Sequence, residues 1–366
     1  MHVVGERVDL ADYTTLRLGG PAARFTLAET AEEVVGQVRA ADLAEEPLLV
    51  LGGGSNLVVA DAGFDGSVVK VATRGMEMAD AGPDRVTIAV AAGQDWDALV
   101  AWTVEQNLAG LECLSGIPGS VGATPVQNVG AYGQEVAATI VSVGALDRST
   151  GQRAVLTGAE CGFGYRTSVF KSTAWPPSGR SGPTGRYVLL DVTFGLARSA
   201  LSEPVGYSEL AARLGVEVGG RAPLARVREA VLDLRRGKGM VLDPADPDSV
   251  SAGSFFTNPV LDDGQLSALA AAAKRRLPGV TVPRYPAGPG LVKVPAAWLI
   301  ERAGFGKGYP GSGPVRISAK HTLALTNRGG ATTADLLALA REVVAGVADM
   351  FGVVLTNEPV LVGVAL

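Results

Sequence analysis

The chain has 366 residues, 47% of them hydrophobic and 19% charged, a globular composition with room for roughly two to three domains. Its net charge of −5, without any Lys/Arg-rich run, excludes a general nucleic-acid binder. No run of about 20 apolar residues is present to cross a membrane, and the opening residues lack the basic and apolar segments of a signal peptide.

After an extended opening, AETAEEVVGQVRAADLA (28–44) predicts a helix capped by Thr30, with Val34, Val35, Val38 and Leu43 toward the core. PLLVLGGGSNLVVA (47–60) reads as a strand, a triple-glycine turn and a second apolar run. RVTIAVAAGQDWDALVAWTVEQNL (85–108) repeats the pattern as strand, turn and helix. Strands are expected near 141–147 and at 186–197, the latter half-buried by its alternation, with WPPSGRSGPTGR (175–186) as an exposed loop. A helix with Pro223 in its first turn is expected at 223–237. The Asp/Pro-rich stretch 242–250 suits a domain boundary. Further helices are expected at 261–277, 295–304 and 332–352, before the strand-like VLTNEPVLVGVAL. In the last helix Leu336, Leu339, Ala340, Val343, Val347 and Met350 form the apolar stripe. Short strands mixed with helices make this an α+β chain.

Cys113 and Cys161 fit neither a metal spacing nor a disulfide framework, so both read as buried thiols in a reducing compartment, by default the cytoplasm. His2, expected to be disordered, and His321 are the only histidines, too few for a histidine-rich metal site or a two-histidine relay. The chemistry therefore calls for a borrowed cofactor. LGGGSN (51–56) can form a concave nest of backbone N–H groups for a phosphate, with Ser55 and Asn56 as added donors. It is neither a Walker loop nor a dinucleotide fingerprint opening a helix, and a plain tight turn is the alternative. GIPGSVGATPVQNVGAYG (116–133) is a second charge-free glycine segment. Two such walls suit an extended dinucleotide such as FAD; glycines at a close strand crossing remain the other reading. Arg166, among Phe163, Tyr165 and Phe170, can fork a carboxylate or phosphate, or form a surface ion pair. Ser254, in SAGSFFTNP, has no partner histidine and no nucleophile elbow, which excludes a hydrolase triad and leaves a turn serine as the plain reading. Glu358 is either an edge charge or a site carboxylate.

Taken in order, TTLRLGGPA (14–22), LGGGSN, SGIPGSVGATPVQNVGAYGQE, CGFGYRTSVFK (161–171), AGSFFTNP, WLIERAGFGKG (298–308), KH (320–321) and NEP (357–359) resemble the UDP-N-acetylenolpyruvoylglucosamine reductase family over nearly the whole chain. The resemblance implies a vanillyl-alcohol-oxidase-type, two-part FAD-binding fold with a C-terminal α+β substrate domain. The parts would be 1–80 joined by 353–366, then 81–239 with an inserted loop around 200–225, then 240–352. Non-covalent FAD would lie against Leu51, Gly52, Gly53, Gly54, Ser55 and Asn56 on one wall. The other wall would be Gly119, Ser120, Gly122, Ala123, Gln127, Asn128, Gly130 and Ala131, where side chains would collide with the cofactor.

The implied reaction is NADPH-dependent reduction of the enolpyruvyl group of UDP-N-acetylglucosamine enolpyruvate, a step of peptidoglycan precursor synthesis. Ser254 would donate the proton, with Arg166 and Glu358 polarising the enolpyruvyl carboxylate. Lys238 would meet a phosphate, Asn258 would line the sugar pocket, and Tyr207 would belong to a substrate-covering loop found in one subclass. Arg302 stands where relatives commonly carry Gln. The chain is expected to act as a monomer, with no nucleic acid or membrane partner and no metal. An oxidase of the same flavin fold, or a nucleotide-sugar binder without activity, are the alternatives.

Overall fold

The computed structural model describes residues 2–3, 8–176 and 182–366, so the middle of the loop expected at 175–186 (177–181) lies outside the described residues. The chain divides into two compact units. One comprises Met1–Val8, Pro21–Gly54 and Phe64–Val241, the other Asp9–Gly20, Ser55–Gly63 and Leu242–Leu366.

In the first unit, strands His2–Val3, Ala22–Ala28, Phe64–Val71 and Leu48–Leu51 form one sheet in that order, with parallel pairing about Phe64–Val71. His2 was expected to be disordered; instead its backbone pairs with Leu27. Helix Ala31–Leu43 begins with the expected cap, a reciprocal box in which the Thr30 hydroxyl accepts the Glu33 N–H and the Glu33 carboxylate accepts the Thr30 N–H. Val34, Val35, Val38 and Ala41 pack on Leu48, Val69 and Val71. Leu43 does not join them: at the helix end it is 88% exposed, and Ala41 takes the inward position.

A second, antiparallel sheet runs Gln152–Thr157, Ile140–Asp147, Tyr187–Arg198, Arg85–Ala91, Met76–Asp80. Tyr187–Arg198 lies between two long neighbours, so Val188, Leu189, Leu190, Val192, Phe194 and Leu196 are buried and the strand is covered on both faces rather than one. Helix Trp96–Glu105 packs Trp96, Leu99 and Val100 on this sheet, with Trp96 donating its indole N–H to the Leu114 carbonyl. The segment around 200–225 contributes helix Ser208–Leu214. It is held beside Leu224–Gly237 by a core of Val205, Leu210, Leu214, Val227 and Val231 that includes Cys113.

The second unit is organised around helix Thr333–Phe351, whose Leu336, Leu339, Ala340, Val343 and Val347 are buried as the stripe requires, with Met350 packed at its margin. Helices Asp263–Arg276 and Ala296–Arg302 flank it. The chain end contributes only a short strand, Val360–Val362, paired in parallel with Leu57–Val59. The residues before it are used differently. The Thr257 N–H donates to the Thr356 carbonyl at 3.0 Å, and the Glu358 N–H donates to the Phe255 carbonyl at 2.8 Å.

Candidate active site

The two glycine segments meet within the first unit. A Cβ on Gly53 would strike the Gly119 backbone, one on Gly52 would sit 2.5 Å from the Ser120 hydroxyl, and one on Gly122 would sit 2.5 Å from the Ala92 side chain. At these positions the protein's own close approach already requires glycine, whatever lies against the bare backbone. Gly54 is different in kind: its φ of +64° is a left-handed conformation. Leu51 is buried as the last residue of its strand, while Ser55 and Asn56 form the half-buried turn beyond the boundary between units. The Ser120–Ala123 turn is pinned by Val121 and Gly122 N–H groups donating to the Gln94 and Ala92 carbonyls. Ser120 is buried and Ala123 exposed.

Farther along, backbone strain accumulates. Asn128, Tyr132 and Arg166 all adopt positive φ (46°, 48° and 53°), a conformation that costs a non-glycine residue energy and that clusters at functional sites. The Asn128 amide donates to Glu135 and to the Gly164 carbonyl and accepts the Ala137 N–H. Its side chain is thus spent on shaping the loop. Arg166 reaches the same loop, its guanidinium donating to the Asn128 and Gly130 carbonyls at 3.4 and 3.2 Å. Of the aromatic neighbours expected around it, Tyr165 stacks at 5.8 Å from its ring centroid, whereas Phe170 turns into the core against Tyr187. Gln127, Gly130 and Ala131 are half-buried alongside.

Tyr207 and Lys238 come together in the same unit around a residue that sequence reasoning passed over, Tyr132. The Tyr132 and Tyr207 rings meet edge to face at 5.4 Å, and the Lys238 ammonium lies 5.6 Å from the Tyr132 ring centroid while donating to the Glu209 carboxylate at 2.7 Å. Burial alone would lower the Lys238 pKa. The Glu209 carboxylate and Tyr132 outweigh it, so the net shift is upward and the ammonium stays charged. Arg235, three residues earlier in R-x-x-K, was also missed. Burial draws its pKa down to about 10, and its Nε has no hydrogen-bond partner among the described residues.

In the second unit the antiparallel pairing of 255–257 with 356–358 sets Glu358 opposite Phe255, the residue after Ser254, and both Ser254 and Glu358 are half-buried. Asn56 joins them, its amide donating to the Glu358 carbonyl at 3.4 Å while its own carbonyl accepts the Val360 N–H at 2.9 Å. Asn258 and Arg302 do not sit together. The Asn258 Oδ1 accepts the Ala296 N–H and caps helix Ala296–Arg302 at one end, whereas Arg302 is exposed in the last turn. With about 1.5 Å of rise per residue, roughly 9 Å separates the two ends.

Comparison with known proteins converges on one family. Residues 244–362 match the family model described as UDP-N-acetylenolpyruvoylglucosamine reductase, C-terminal domain, and residues 22–157 match an FAD binding domain. The UDP-N-acetylenolpyruvoylglucosamine reductase of Thermobifida fusca is 59% identical over 98% of both chains. That of Mycolicibacterium smegmatis is 50% identical over 100% of this chain and 98% of its own. The crystal structure of the Thermus caldophilus enzyme superimposes with a TM-score of 0.63 at 27% identity, covering 99% of both chains. The α+β, two-part flavin fold expected from the sequence is borne out. The chain belongs to the UDP-N-acetylenolpyruvoylglucosamine reductase family, FAD-containing oxidoreductases of peptidoglycan precursor synthesis.

Proposed function

We propose that this chain reduces the enolpyruvyl group of UDP-N-acetylglucosamine enolpyruvate to give UDP-N-acetylmuramate, with FAD as resident cofactor and NADPH as reductant. The single observation that supports the reading is the antiparallel pairing that sets Glu358 opposite Phe255, the residue after Ser254, with the Asn56 amide donating to the Glu358 carbonyl. The left-handed Gly54 and the two glycine segments suit a cofactor laid against bare backbone, with Ser55, Asn56, Gly119, Ser120, Gly122, Ala123, Gln127, Gly130 and Ala131 lining it. Asn128 contributes through its main chain. When bound, FAD supplies hydride, taken from NADPH, to C3 of the enolpyruvyl group.

Hydride addition at C3 leaves carbanion character at C2, which survives only if the adjacent carboxylate takes up charge and a proton arrives promptly. Ser254 is that acid, and Arg166 and Glu358 polarise the carboxylate. A serine hydroxyl is a weak acid, so its position and the neighbouring amides and cations must favour the alkoxide it leaves. Lys238 meets a phosphate of the UDP moiety as a point charge, Tyr207 covers the substrate from the 200–225 segment, and Asn258 and Arg302 contact the sugar nucleotide.

The division of labour follows the sequence: 1–80 with 353–366, and 81–239, for the flavin, and 240–352 for the substrate. The enzyme works in the cytoplasm as a monomer; the buried free thiols Cys113 and Cys161 support a reducing compartment. An anaerobic absorption spectrum tests the whole reading. NADPH should bleach the flavin band and the enolpyruvyl substrate should restore it. Recovery with oxygen but not with substrate would favour an oxidase, and purified protein with no flavin band would favour a nucleotide-sugar binder.

A further inference from the structure

Strand Phe64–Val71 pairs in parallel with Leu48–Leu51, and Lys70 stands opposite Leu51, the last residue before the glycine turn. Val69 and Val71 enter the core under helix Ala31–Leu43, so the alternation of the strand sends Lys70 to the other face of the sheet. There its Nζ donates to the Gly52 carbonyl at 2.5 Å. An ammonium has three N–H donors, and the carbonyl takes one. No carboxylate pairs with Lys70 among the described residues, although the side chain is half-buried. A half-buried cation of this kind is unfavourable until an anion arrives. Burial, and then the charge of Arg74, lower its pKa, which says the same thing in another way.

We propose that Lys70 is an anion-binding residue for the diphosphate of FAD, poised at the glycine turn by the Gly52 carbonyl. The assignment rests on reading Gly52, Gly53 and Gly54 as the diphosphate's cradle. Lysine suits the role as a compact point charge with donors left to spare.

The test is FAD release from the purified full-length holoenzyme, followed by flavin fluorescence over a dilution series at 50 and at 500 mM salt, values on the order of a Debye length of roughly 14 and 4 Å. Lys70→Met keeps most of the stem and removes the charge. It should weaken FAD about 10- to 100-fold and flatten the salt dependence of the Kd, and Lys70→Arg should recover most of the affinity. Gly54→Asn serves as control, because Asn tolerates the left-handed backbone but fills the cradle. Wild-type affinity in Lys70→Met together with loss in Gly54→Asn overturns the Lys70 assignment and leaves the cradle standing. Wild-type affinity in Gly54→Asn removes the cradle and the Lys70 assignment with it. Weak binding in both Lys70 variants with unchanged salt dependence assigns Lys70 a packing role and overturns the proposal.

Discussion

Ser254 carries the sharpest prediction at the scale of single residues, because the reaction separates into two observable halves. If its hydroxyl only protonates C2 of the substrate, it takes no part while NADPH bleaches the flavin band. Ser254→Ala should leave that phase near wild type and slow the substrate-driven recovery about 10²- to 10⁴-fold in stopped flow. Ser254→Cys should regain part of the rate, since a thiol can give up a proton from the same place. Equal slowing of both phases would mean a disturbed pocket instead of a lost acid. Lys238 makes a different kind of contribution. Its ammonium is shared between Glu209 and the face of Tyr132, and truncation should cost substrate binding more than turnover. Lys238→Met is expected to raise KM for the UDP-sugar about 10-fold or more with kcat changed far less, roughly the worth of one charge-assisted hydrogen bond. A fall in kcat with KM unchanged would place Lys238 in the chemistry instead.

Elements set the sign of a substitution that looks identical on paper. Gly36 lies in the middle of helix Ala31–Leu43 with open space where a Cβ would go. Gly36→Ala should stabilise the protein by about 0.5–1 kcal/mol in chemical denaturation, because Ala restricts the unfolded chain and suits a helix. Gly53→Ala should do the reverse. There the new Cβ meets the backbone of Gly119, which is itself held by the Trp96 N–H donating to its carbonyl, so neither turn can yield cheaply. A loss of about 1–3 kcal/mol is expected, in the range of overpacking. A neutral Gly53→Ala would mean that the two glycine turns part easily.

For the molecule as a whole, acid stability should depend on the carboxylates that the second sheet recruits. Asp147, buried at the end of strand Ile140–Asp147, accepts from the Arg186 guanidinium at 2.8 and 2.5 Å and from the Ser149 N–H and hydroxyl. Arg186 above all holds its carboxyl down at about 2. A carboxyl lowered on folding stabilises above its unfolded value of about 3.9, and that contribution fades as pH falls toward about 2. Asp147→Asn should therefore cost up to about 2 kcal/mol at neutral pH, with the gap from wild type closing between about pH 4 and 2. An equal gap at both ends would exclude ionisation as the cause. How far the sequence reaches is clear from particular residues. Helix periodicity with the Thr30 cap, the stripe from Leu336 to Val347 and the glycine motifs in order were enough for the elements, the fold and the family, because these signals are local or ordered along the chain. Leu43, the doubly covered Tyr187–Arg198 and the shortened terminal strand were not, since burial at a helix end, in a sheet centre or at a strand pairing depends on neighbours distant in sequence. The same holds for the candidate site. Ser254 and Glu358 were named from motifs, but only the pairing of 255–257 with 356–358 brings their two segments together, and Tyr132 joined Lys238 and Tyr207 only when two helices and a glycine loop packed together. Local free energies are written residue by residue, whereas a contact across a hundred residues exists only once the chain has closed.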